Sequence, residues 1–179
     1  MKRFANPSGA LFAFTRCASL AAFLVVGSLA NAAESGLIKL KAPLDEPEFY
    51  CLDVPGFRAR LNLEAPLMAH TCKPGADDEI YQLDHPGKGQ LSMPAYDLCV
   101  QADNLDVGGQ VRMKECSDDP LQKFEWADGR IRPSENTKLC LSVADAKGEP
   151  TGGPSHLKLD LTLQTCADVP GACSEWLIP

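Results

Sequence analysis

The sequence is poor in histidine, in aromatic residues and in positive charge, and each shortage excludes a class of function. Three histidines stand in 179 residues, and no two cysteines are separated by only two residues. The paired-ligand spacing of a zinc site is therefore missing, and neither a metal nor a cofactor is expected. There is no Gly-x-Ser-x-Gly elbow and no metal-binding histidine pair, so the sequence offers no recognisable catalytic motif, and an enzyme is not expected. Lysine and arginine number 17 against 24 acidic residues, a net charge of −7. No basic stripe is present to neutralise phosphates, which argues against nucleic acid and against an anionic membrane surface. Beyond residue 30 no apolar run is long enough to cross a bilayer, so membrane insertion is not expected.

What is present begins with a leader-like segment. Met1-Lys2-Arg3 and Arg16 supply positive charge ahead of an uncharged apolar run from Ala18 to Ala30. Ala30-Asn31-Ala32 has the small-x-small form of a signal-peptidase site, which places the cut after Ala32. Residues 1–32 are thus read as a signal peptide and 33–179 as one domain, secreted or periplasmic after cleavage. Cys17 lies ahead of the apolar run, where it is a poor lipid-attachment site. The leader carries three basic residues and no acidic one, so the mature chain is more acidic still.

The mature part repeats. Cys51-Leu52-Asp53, Cys99-Val100-Gln101 and Cys140-Leu141-Ser142 each set a cysteine before an apolar and then a polar residue. Each is followed by a second cysteine: Cys72, Cys116 and Cys166. Apolar residues stand five and three places ahead of each second cysteine, a period of two that predicts a half-buried strand. A bulky apolar residue follows: Ile80 and Phe124 eight places on, Trp176 ten. Gly89-Gln90-Leu91 precedes the second repeat and Gly129-Arg130-Ile131 the third. Their counterpart, Gly36-Leu37-Ile38, lies near the mature N-terminus, while the chain ends on Trp176-Leu177-Ile178-Pro179.

That offset predicts a ring in which the Gly36 strand pairs beside the Trp176 strand, removing an open sheet edge. Repeats of this length hold about four short strands each. Proline and glycine recur too often for long helices. The expectation is an all-β chain, a β-trefoil of three four-stranded repeats closed by its terminal strands. In the same register the cysteines of each repeat fall on neighbouring strands, giving Cys51–Cys72, Cys99–Cys116 and Cys140–Cys166. Cys173 is left over, with three roles open: a free thiol, a rival to Cys140 for Cys166, or a bridge to another chain.

These features resemble the ricin B-type lectin domain, whose marks include a Gln-x-Trp triplet. Gln122-Lys123-Phe124 is the nearest intact triplet; Ser174-Glu175-Trp176 keeps the tryptophan, and Asp78-Glu79-Ile80 is taken as the first-repeat version. The likeness covers about residues 36 to 179. It implies a carbohydrate-binding module, in which a carboxylate two residues after the first cysteine accepts hydrogen bonds from sugar hydroxyls. A flat side chain two residues before the second cysteine covers the sugar ring, and a polar group precedes the triplet.

Carried over residue by residue, the resemblance gives Asp53, His70 and Asp77 in the first repeat. The second gives Gln101, Lys114 and Leu121, and the third Ser142, Gln164 and Cys173, neither with a carboxylate or an aromatic ring. At most one sugar site is therefore expected, in the first repeat, with a glycan or glycoprotein as partner. The alternative is a degenerate trefoil that binds protein, as a toxin cell-binding subunit or a partner of a toxin or hydrolase, without binding sugar.

Simpler readings exist for single residues. Asp53 also suits a turn acid near Val54-Pro55-Gly56. Two acids in one pocket would repel, and a protonated His70 would relieve them, so binding is expected to depend on pH between about 5 and 7. Two carboxylates alone are too few for calcium. Asp103 to Gly109 reads as a hairpin turn, Gly148 to Pro154 as a surface loop, and Trp126 and Trp176 as barrel or core residues.

Overall fold

Period-two alternation builds the strands. In Val111–Glu115, Val111 and Met113 are buried while Arg112 and Lys114 are not; in Leu157–Thr165, Leu159, Leu161 and Leu163 are buried and Asp160 is exposed. The computed structural model describes residues 35–152 and 156–179. The expected signal peptide, residues 1–32, lies outside the described residues.

The first repeat contains β1 (Ser35–Leu37), β2 (Lys39–Leu40), β3 (Tyr50–Asp53), β4 (Met68–Thr71) and β5 (Ile80–Leu83). The second contains β6 (Leu91–Met93), β7 (Leu98–Ala102), β8 (Val111–Glu115) and β9 (Phe124–Ala127). The third contains β10 (Arg130–Pro133), β11 (Leu139–Val143), β12 (Glu149–Pro150), β13 (Leu157–Thr165) and β14 (Trp176–Leu177). Counting β1 and β2 as one interrupted strand, and setting aside the added β12, each repeat has four strands, as a β-trefoil requires. The only α-helix among the described residues is α1 (Gly171–Ser174), and none is long and apolar enough to cross a membrane.

The repeats share one register. Cys51 faces His70, Cys99 faces Lys114 and Cys140 faces Gln164, each first cysteine opposite the residue two before its second cysteine. All three expected disulfides form, with Cα separations of 4.9, 4.9 and 5.1 Å. Each closes a loop that stabilises the fold by on the order of 3 kcal/mol. Cys173 is free and buried. The terminal strands pair, with Trp176 opposite Leu40 and Leu177 opposite Lys39. The contact thus falls on β2, while Gly36 and Leu37 pair instead with Tyr81 and Ile80 of β5.

The registers also correct the first triplet. The repeat glycines lie beside their repeat's aromatic residue: Phe124 N–H donates to the Gly89 carbonyl, Trp176 N–H to the Gly129 carbonyl, and Gly36 pairs with Tyr81. Phe124 faces Pro133 and Trp176 faces Leu40; the β5–β6 register, Gln82 to Ser92 and Leu83 to Leu91, carries Tyr81 to Met93 in the same way. Tyr81, Phe124 and Trp176 are therefore equivalent, and all are buried. The first triplet is Glu79-Ile80-Tyr81, one residue later than Asp78-Glu79-Ile80. The short turn after Cys72 holds one residue more than its counterpart after Cys116, which spacing from the cysteine alone conceals.

Two further expectations change. Trp176 is buried and its indole N–H donates to the Leu141 carbonyl at 2.9 Å, but Trp126 is 46% exposed on β9. The segment from Gly148 is more than a surface loop. Glu149 and Pro150 pair with Lys158 and Leu157, so the start of β13 becomes a hairpin that continues into pairing with β4, Lys158 opposite His70. The third repeat thereby reaches over the first. Its base is held where Asp45 accepts from both Tyr50 Oη (2.8 Å) and the Gly148 N–H (2.9 Å). The Asp103 to Gly109 segment is the expected hairpin turn, closed by Gly109 N–H on the Asp106 carbonyl.

Candidate functional site

Of the three expected site residues, the structure brings Asp53 and His70 together and leaves Asp77 outside. Asp53 ends β3 and is fully buried; His70 is buried on the neighbouring β4. His70 Nδ1 lies 3.6 Å from Asp53 Oδ2. Asp77 begins a short 3-10 turn, Asp77–Glu79, and is exposed, whereas Asp78 and Glu79 turn inward. With the triplet at Glu79-Ile80-Tyr81, the residue immediately before it is Asp78, so the polar position assigned to Asp77 falls on Asp78.

Lys73, which belongs to no motif of the sequence, organises this cluster. It directly follows Cys72, whose disulfide fixes its backbone. Its Nζ lies 3.0 Å from Asp53 Oδ2, 3.0 Å from Asp78 Oδ2 and 3.7 Å from Glu79 Oε1, while its backbone N–H donates to Glu79 Oε2 at 2.6 Å. Asp53 Oδ1 accepts from the Val54 N–H at 2.8 Å, so the turn role and the cluster role coexist on one side chain. Ligating atoms of Asp53, His70 and Glu79 lie within 4.8 Å of one another. The cation beside them is Lys73's own ammonium.

One ammonium faces three carboxylates in a dry setting. Burial pushes the Asp53 carboxyl up to about 7 even though Lys73 pulls it down, and burial together with the Asp53 charge pushes Glu79 up to about 8. Desolvation opposes the Lys73 charge, but the surrounding carboxylates outweigh it and hold its pKa above the ordinary value. The cluster therefore keeps a proton among its carboxyls near neutral pH. Burial holds His70 below its usual value, helped by the nearby Lys73 and His156 charges. The charge that relieves the acids is Lys73, in place of the protonated His70 inferred from sequence.

His70 is also capped from outside. Its Nδ1 is 3.0 Å from the Thr71 carbonyl, its Nε2 is 2.9 Å from Thr151 Oγ1, and its ring stacks on His156 at 5.7 Å. Thr151 and His156 belong to the third-repeat hairpin. Beside them opens a cavity of about 730 Å³, bounded on the far side by the loop after β3. There Gly56 has φ +111°, and a Cβ would meet the Arg60 carbonyl and lie 2.8 Å from Leu61 Cα, so only glycine fits. That tight loop, closed by Asn62 N–H on the Pro55 carbonyl at 2.7 Å, sets Phe57 and Arg60 at the mouth. Phe57 is 54% exposed and presents a flat apolar surface, the feature that the resemblance places at His70.

The second repeat fills the equivalent place with neutral amides. Gln122 Oε1 accepts from the Ser117 N–H (2.8 Å) and Gln90 Nε2 (3.2 Å), and its Nε2 donates to Gln101 Oε1 (2.9 Å) and the Glu115 carbonyl (2.8 Å). Every donor and acceptor of that amide is used. Lys114 pairs with Glu64 at 3.4 Å. In the third repeat Ser142 donates back to the Cys140 carbonyl and Gln164 to Thr162.

Residues 43–172 match the ricin-type β-trefoil lectin domain family, and the chain belongs to it. No curated protein sequence matches the chain. Among solved structures it is similar to the C-half of an earthworm R-type lectin in complex with GalNAc: 13% identity, 81% of this chain and 97% of that one, TM-score 0.57. The designed threefold-symmetric protein ThreeFoil is 17% identical over 78% of this chain and 95% of its own, TM-score 0.57. The Haemophilus ducreyi cytolethal distending toxin is 15% identical over 79% and 81%, TM-score 0.54. At these identities the likeness establishes the shared fold.

Proposed function

We propose that this protein is an exported, non-catalytic carbohydrate-binding module with one sugar site, in the first repeat. The observation that carries the reading is the cavity bounded by Phe57, His70 and Lys73, beside the positions that the resemblance assigns to sugar binding. Phe57 offers the ring face on which a sugar stacks. His70, with both ring nitrogens engaged, and Lys73, which Asp53 and Asp78 hold in place from beneath, form the wall behind it. The carboxylate pair of Asp53 and Glu79 is sealed from solvent and held against Lys73, which suits a binding scaffold better than glycoside hydrolysis.

Glycan-array binding followed by calorimetry tests this. The wild type is expected to bind a glycan, and Phe57→Ala to weaken it about tenfold or more, on the order of a lost stacking contact. Wild-type protein that binds no glycan, or a Phe57→Ala variant that binds as well, would sink the proposal. Export has its own readout: the mass of the released chain should begin at Ala33, and retention of the full-length chain in the cell would refute it.

A second reading, a degenerate trefoil serving as a protein-binding subunit of a toxin or hydrolase, is favoured by the lack of a carboxylate and of an aromatic ring at the second- and third-repeat positions Gln101, Lys114, Leu121, Ser142, Gln164 and Cys173. Co-purification of a partner together with failure to bind any glycan would select it.

A further inference from the structure

We infer that the first-repeat cavity takes a saccharide bearing an anionic group, a carboxylate or a sulfate. This rests on the sugar-binding reading above and adds the ligand's charge to it. The chain is acidic overall, with net charge −7, yet among the described residues no aspartate or glutamate lines the cavity. Arg60, Lys73 and Lys158 do, with His70 and His156 between them.

The three cations differ in how far they are already neutralised. Lys73 is held against Asp53 and Asp78 behind the wall. Lys158 pairs at 3.0 Å with Glu149, which is 71% exposed, a surface contact of little strength. Arg60 has no side-chain partner among the described residues; it is exposed, on the loop that Asn62 N–H closes on the Pro55 carbonyl. A planar guanidinium with its donors unengaged suits bidentate capture of a carboxylate or sulfate. Phe57 and Met68 supply the apolar surface for the ring that carries the anionic group. The two walls come from different repeats, Arg60 from the loop after β3 and Lys158 from β13. Lys158 and His156 join that lining because the third-repeat hairpin reaches β4.

The test is calorimetry on the mature chain with three matched probes: N-acetyllactosamine, its sialylated form and its sulfated form. At low salt, one or both anionic probes should bind at least about tenfold tighter than the neutral parent, and the ratio should shrink as salt screens the charges. The exposed double variant Arg60→Gln, Lys158→Gln should bring the ratio towards one, with an unchanged melting transition showing that the fold is intact. Which anionic probe prevails distinguishes a carboxylate from a sulfate. A neutral parent that binds as tightly as both anionic probes, or a double variant that keeps the full ratio, would overturn the inference while leaving sugar binding in place. Failure of the wild type to bind any of the three and any glycan on an array would instead overturn the sugar-binding reading, and this inference with it.

Discussion

The first and second repeats place the same backbone positions in the same register and fill them with opposite chemistry. In the second, Gln122, Gln101 and Gln90 form a neutral amide network with the central side chain fully satisfied. In the first, Glu79 stands where Gln122 stands and Asp53 where Gln101 stands. Glu79 Oε2 accepts the Lys73 N–H just as Gln122 Oε1 accepts the Ser117 N–H. An amide supplies a donor and an acceptor, whereas an ionised carboxylate can only accept. The first repeat makes up the missing donors with the Lys73 ammonium and with a retained proton. A neutral network serves the fold alone, while the ionic one ties the fold to a charged group at a cavity wall.

The largest break in this comparison should come from Lys73→Met. It leaves Asp53, Asp78 and Glu79 buried without their cation, and denaturant unfolding at pH 7 should show a loss of about 3–5 kcal/mol. A loss below 1 kcal/mol would mean that the carboxyls are already neutral without Lys73. Gln122→Leu, the matching change in the amide network, should cost less, roughly 2–3 kcal/mol, because the groups it strands are neutral.

The pH profile separates the two networks next. Asp53 and Glu79 titrate near 7 and 8 in the folded chain and near 4 when unfolded. Between these values the folded state binds more protons. The contribution of both groups is therefore fully present below about pH 4 and is lost as pH rises through 7 to 8. Melting temperature should fall between pH 5.5 and 8.5 by several degrees. A rise over that interval would contradict the raised values. The smallest effect is expected from Glu79→Gln, which rebuilds the second repeat's donor in the first. It should stabilise the protein at pH 8 by about 1 kcal/mol and flatten the pH profile.

Much of the scaffold was legible in the residues. Cysteine spacing and strand alternation carry the three disulfides, the repeat boundaries and the terminal pairing, because they follow from a local period of two and from loop lengths. The site was legible in part. Asp53 and His70 follow from fixed offsets to Cys51 and Cys72. Asp77 and the first triplet slipped by one residue, because the turn after Cys72 is longer and only strand pairing to Gly36 reveals the shift. Phe57 and Arg60 lay in a segment readable as an ordinary turn, and Lys73 carried no motif.

By itself, then, the sequence determined the repeat, its register within each hairpin and the absence of a charge set in the second and third repeats. These are short-range consequences of side-chain alternation and cysteine position. The tertiary structure alone decided that Lys73 neutralises the buried acids and that the hairpin carrying Thr151, His156 and Lys158 closes over the first repeat. The hairpin contacts join residues about 80 positions apart in the chain, such as His70 and Thr151, and the Lys73 contact with Asp53 brings one loop end against another strand. Burial, which sets the protonation of Asp53 and Glu79, exists only once the strands have packed.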